Sequence, residues 1–101
     1  MAKTPDQPRQ IYGFCWFRRE DYDTARSLMS DPEALFDTYD EWLSAARKIE
    51  SDVVAKGAKV VRVRFDTASF LLYCMSHNVP PFEQSRANWA AQELRKKVTG
   101  R

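Results

Sequence analysis

At 101 residues the chain has the length of one domain, and a chain this short buries only roughly 60–65% of its unfolded surface, leaving little room for a deep active site. Apolar residues make up 44%, charged residues 30% and aromatic residues 13%, a balance that argues against disorder and fits a soluble globular protein. A formal net charge of +2 does not by itself announce a nucleic-acid binder, and no apolar run approaches the ~18 residues of a membrane helix.

The first nine residues of "MAKTPDQPRQ" are polar, hold two prolines and lack periodicity, so residues 1–9 are expected as a loose arm ahead of a single α/β domain over 10–101. That opening has no apolar signal-peptide core, and the two cysteines are expected as reduced thiols in the cytoplasm. "QIYGFCWF" over 10–17 suits a strand with Tyr12, Phe14 and Trp16 on one face and Ile11, Cys15 and Phe17 on the other. Both faces are apolar, as in a strand covered from two sides.

"REDYDTARSLM" over 19–29 predicts a short helix with Tyr22, Ala25, Leu28 and Met29 on its stripe. "SDPEAL" follows as a helix-start signal, in which Ser30 or Asp31 can cap and Pro32 suits the first turn. Thr38-Tyr39-Asp40-Glu41 is a capping box that opens a helix over 38–56. Its stripe is Tyr39, Trp42, Leu43, Ala46, Ile49 and Val53, and Gly57 stands where a left-handed terminator belongs.

"KVVRVRF" over 59–65 alternates, with Val61, Val63 and Phe65 on one face and Val60, Arg62 and Arg64 on or across the other. Asp66, joined by Ser69, can cap a helix over 67–77, and Asn78 with Pro80-Pro81 ends it. The last helix is expected over about 82–98, with Phe82, Ala87, Ala90, Ala91, Leu94 and Val98 inward and Trp89 at the edge of the stripe. The fold class is therefore α+β or α/β, a small two-stranded sheet covered by about four helices in the order β-α-α-β-α-α. Forty residues of mostly helix between the strands exclude a tight hairpin and predict a parallel, right-handed crossover.

Tyr39-x-x-Trp42, Gly57-x-x-Val60-Val61-x-Val63, Phe70-x-x-x-Cys74 and Arg86-x-x-x-Ala90 together make the chain resemble a small family of bacterial proteins of unknown function. The resemblance implies a bacterial, soluble α/β protein and carries over no catalytic residue. Asn78 stands where such sequences more often have Gly.

Cys74 and His77 share a helix face at metal-ligand spacing, but two cysteines and one histidine with no paired-ligand spacing make a poor zinc set. Packing accounts for both: Cys74 as a small buried hydrophobe, His77 as a favourable charge at a helix C-terminus. With three glycines in the chain, no phosphate loop and no nucleophile elbow, the sequence offers no catalytic residue, cofactor or metal, and no Cys15–Cys74 disulfide is expected. Arg62 and Arg64 share a strand face, and are expected to lay their stems on apolar surface and pair with acids such as Asp37 or Glu41. The sharper alternative is that these two arginines receive an anion or a partner.

The function expected is a non-catalytic interaction or accessory module of the bacterial cytoplasm. The alternative is a nucleic-acid-binding regulator whose helix pair over 67–98 carries Gln84, Arg86 and Asn88 outward to bases or phosphates. Gln84, where such motifs bury an apolar residue, and the stiff Pro80-Pro81 turn count against it. The apolar first strand, which has no lysine or proline to blunt its edge, also predicts a symmetric homodimer.

Overall fold

Strand β1 (Ile11–Trp16) lies beside β2 (Lys59–Arg64) in a parallel pair whose register runs from Ile11 opposite Lys59 to Trp16 opposite Arg64. This computed structural model describes residues 10–99; the expectations for the arm over 1–9 and the Val98 side chain lie outside the described residues. Among those residues the order is β1, α1 (Tyr22–Leu28), α2 (Tyr39–Ala55), β2, α3 (Thr67–His77) and α4 (Glu83–Thr99), the β-α-α-β-α-α succession expected. One-turn 3-10 helices precede α1 and α2, at Arg19–Asp21 and Pro32–Ala34.

The two long helices cover opposite faces of the strands. On the face of Trp16 sits α2, where the Trp16 and Trp42 rings meet edge to face at 5.2 Å. On the face of Gly13 sits α4, so close that a Cβ at Gly13 would stand 2.9 Å from the Ala90 carbonyl oxygen and 3.2 Å from Leu94 Cβ. Only glycine admits that approach. The core gathers just past the carboxyl ends of the strands, where Phe17 and Phe65 pack at 5.0 Å. From there rings run outward to Trp42 on one side (Phe17 to Trp42, 5.1 Å) and to Trp89 on the other (Phe65 to Trp89, 5.7 Å).

The local end signals act as read. The Thr38 hydroxyl accepts from the Glu41 N–H while Glu41 returns an acceptor to the Thr38 N–H, and Gly57 adopts φ +96°. Asp66 accepts from the Ser69 N–H at 2.9 Å, and Asn78 takes the left-handed conformation.

Four expectations are corrected. Ile49, placed on the α2 stripe, is exposed. Leu28 is exposed, because α1 ends there and only Tyr22, Ala25 and Met29 reach the core. "SDPEAL" makes a single 3-10 turn with no side-chain cap of its own. Most informatively, α4 is rotated from its expected stripe: Trp89 is central at 1% exposure, Ser85, Arg86, Ala90 and Leu94 are buried beside it, and Ala87 faces out. The rotation is tolerable because its two polar core residues are satisfied. The Ser85 hydroxyl donates to the Pro80 or Phe82 carbonyl and accepts from the Phe82 N–H, and Arg86 meets Asp31 at 3.0 Å.

Candidate functional site

Arg62 is held in place. Its guanidinium lies 4.0 Å over the Trp16 ring and donates twice to Glu50, at 2.8 and 2.9 Å. That pairing draws the Glu50 carboxyl below its usual range, first through the hydrogen bonds from Arg62 and against the opposing effect of burial. The expected acids are engaged elsewhere: Asp37 with Arg26 at 3.1 Å, Glu41 in the capping box. Glu41 lies two and a half turns before Glu50, roughly 13 Å along the axis, which is why the later acid is the one Arg62 meets. Arg64 is exposed and has no carboxylate partner among the described residues. The two arginines thus share a strand face but not an environment.

Cys74 and His77 diverge. Cys74 is 5% exposed; burial pushes its thiol up, only partly offset by a hydrogen bond with Ser85. His77 is exposed, stacks on Tyr73 at 4.0 Å and directs Nδ1 to the Tyr73 carbonyl oxygen at 3.0 Å. Among the described residues no three His, Cys, Asp or Glu side chains gather as a metal-binding set. Both cysteines are free thiols.

Of the residues expected to face outward on the last helix, Gln84 and Asn88 do so and bond each other at 3.2 Å. Arg86 does not. It is 6% exposed, turned inward by Asp31, whose other oxygen accepts from the Glu83 N–H at 2.9 Å and so caps α4. Of the three residues expected to contact nucleic acid, the one cation is therefore turned away from solvent.

A different feature concentrates exposed apolar surface. Along the outer side of β1 runs a groove of about 620 Å³, open to solvent, with β1 as floor, α2 contributing Trp42 and Ile49 to one wall, and α4 contributing Ala87 and Ala91 to the other. Among the described residues eight large apolar side chains are exposed, and four of them (Ile11, Tyr12, Phe36 and Ile49) line this one groove. Isolated exposed apolar residues need no explanation, but such clustering marks a contact surface.

The groove floor is an unsatisfied strand edge. The sheet has two strands, and β1 is bonded to β2 from one side only. The Gln10 and Trp16 carbonyls accept from Lys59 and Phe65 at 2.8 and 2.9 Å, so the even-numbered residues of β1 direct their backbone groups to β2. By alternation, Ile11, Gly13 and Cys15 turn their N–H and C=O groups into the groove. Cys15 is half-buried as a residue, yet its thiol is deep enough that burial raises its pKa to about 12 despite the opposing influence of Arg86. At neutral pH this thiol is protonated, the poorly nucleophilic form. The sequence marked β1 as an unblunted edge; it did not place Phe36 and Ile49 beside it, since both come from segments distant in the chain. No described helix is long and apolar enough to cross a membrane. Comparison of the chain with protein families, curated proteins and solved structures returns no match.

Proposed function

We infer that this protein is a non-catalytic interaction module of the cytoplasm that takes up an extended polypeptide strand along the free edge of β1. The observation that carries the reading is the coincidence of open backbone groups at Ile11, Gly13 and Cys15 with an apolar groove holding half of the exposed large apolar side chains among the described residues. Strand addition uses such a surface in two ways: backbone hydrogen bonds supply affinity, and alternate side chains select the partner through the flanking walls. The groove is furnished for contact rather than chemistry. Its thiol stays protonated and its buried guanidinium is committed to Asp31.

The test is titration with a synthetic peptide of the sequence Gln10–Trp16, followed by amide shifts and tryptophan fluorescence. Saturable binding that moves the Ile11, Gly13 and Cys15 amides is the expected outcome; shifts confined to α3, which does not line the groove, would overturn the reading. A parallel titration with random duplex DNA is expected to show no binding. Steeply salt-dependent DNA binding would favour the regulator, which would then have to act through Gln84 and Asn88 without Arg86.

A further inference from the structure

We propose that the strand taken up by this edge is β1 of a second copy, in an antiparallel register that puts Gly13 opposite its symmetry mate. This inference rests on the edge-docking reading and names its occupant. A two-fold axis requires the same patch on both partners, with each contact made twice. β1 meets that requirement, because residues whose backbone groups face outward in antiparallel strands exchange both hydrogen bonds when directly opposite. With Gly13 facing Gly13, Ile11 faces Cys15 of the other copy and Cys15 faces its Ile11. All the outward N–H and C=O groups of Ile11, Gly13 and Cys15 are then satisfied, and none is left over.

Three further observations fit a copy better than an unrelated strand. The two-stranded sheet is marginal by itself, and the pairing makes it four-stranded, in the order β2-β1-β1-β2. The axis passes close to Ala90, the residue of α4 packed on Gly13, so the two α4 helices run antiparallel on one face of the enlarged sheet. Their facing flank carries Ala87 and Ala91, small enough for approach at the short end of the 8–10 Å range of packed helices. Charge is also self-complementary under this operation. Glu83 lines one end of the groove and Arg95 the other, and antiparallel placement brings the acidic end of each α4 toward the basic end of its mate. Between them β1 offers Ile11, Tyr12, Phe14 and Trp16 with no charged side chain to oppose contact.

Sedimentation of the full chain at micromolar concentration tests the proposal, with two variants. Ile11→Pro removes one outward donor at the first residue of the strand, the place where an edge strand tolerates proline, and leaves the bonds to β2 intact. Symmetry deletes the donor twice, so dimer dissociation is expected to rise at least about tenfold. Ile49→Glu changes an exposed α2 residue, so folding is kept while charge enters the groove. The expected result is a wild-type species near twice 11.8 kDa, with both variants shifted to monomer at unchanged far-UV circular dichroism. If Ile11→Pro fails to fold, Ile49→Glu decides. A dimer that survives in the folded variants lies on another surface and overturns the proposal. A wild-type monomer also overturns it, and the Gln10–Trp16 peptide titration then separates the two claims: binding leaves the edge reading standing, and no binding removes both.

Discussion

Helices α2 and α4 are each 17 residues long and cover opposite faces of the same two strands, yet they are specified in different ways. α2 opens on its own capping box and buries one residue, Trp42, in the core. α4 is capped by Asp31, 52 positions upstream, and buries Ser85, Arg86, Trp89, Ala90 and Leu94. The first helix carries its instructions within about four residues of where they act. The second cannot be oriented without a partner contributed by the loop between α1 and α2. An element of this kind has its position, though not its helicity, set by tertiary contacts.

The largest expected difference between the helices is at their tryptophans. Trp89→Ala should cost about 4–5 kcal/mol and Trp42→Ala about 3–4 kcal/mol, both within the range of large-to-small core changes. Trp89 is the more enclosed, at 1% against 8% exposure, and its removal also takes the indole N–H from the Ser69 hydroxyl, 3.0 Å away. Urea unfolding midpoints measure both. A larger loss for Trp42 would mean that the core is centred on α2.

The caps give the next effect. Asp31→Ala should cost about 2–4 kcal/mol, because it strips the α4 cap and leaves the Arg86 guanidinium buried without its partner. The Asp31 side chain retains 19% exposure, which keeps the value below that of a fully enclosed pair. Adding Arg86→Met should recover much of the loss, since an apolar side chain of similar length removes the stranded charge. Thr38→Ala should cost less, about 0.5–2 kcal/mol, as a local cap on an exposed turn. Thermal melts of the three variants test the ranking; a Thr38→Ala loss exceeding that of Asp31→Ala would erase the distinction drawn between the helices.

That distinction also explains how far the sequence could be read. Strand alternation, the Thr38 box, Gly57, Asp66 and Asn78 all act on neighbours within a few residues, and each is visible as a pattern. Asp31 reads in the sequence as a cap for the turn that follows it, because sequence shows a residue's chemistry and not the helix it will meet. The α4 stripe departs from its expected position for a related reason. Ala87 looks more buriable than Ser85 or Arg86 until Pro80, Phe82 and Asp31 are there to satisfy the polar pair. The groove was half legible. β1 announced its open edge through composition, while Phe36 and Ile49 join it only after the chain has turned back twice.

The smallest expected effect is on the α2 side, at Glu50 and Arg62. Their bidentate pair is partly exposed, with side-chain accessibilities of 21% and 47%, so solvent screening holds its worth to about 0.2–1 kcal/mol. The sign of its pH dependence follows from the depressed pKa of Glu50. In the unfolded chain the carboxyl titrates near its ordinary value of about 4.3. Above that pH both states are ionised and the folded state keeps the full benefit of Arg62. As pH falls through the lowered folded value the carboxyl protonates in both states, and the benefit is lost. Glu50→Gln should therefore lower the melting temperature slightly at pH 7, and the gap to wild type should close in strongly acid solution. No gap at pH 7 would mean that the Arg62 guanidinium draws its stability from the Trp16 ring beneath it rather than from the carboxylate.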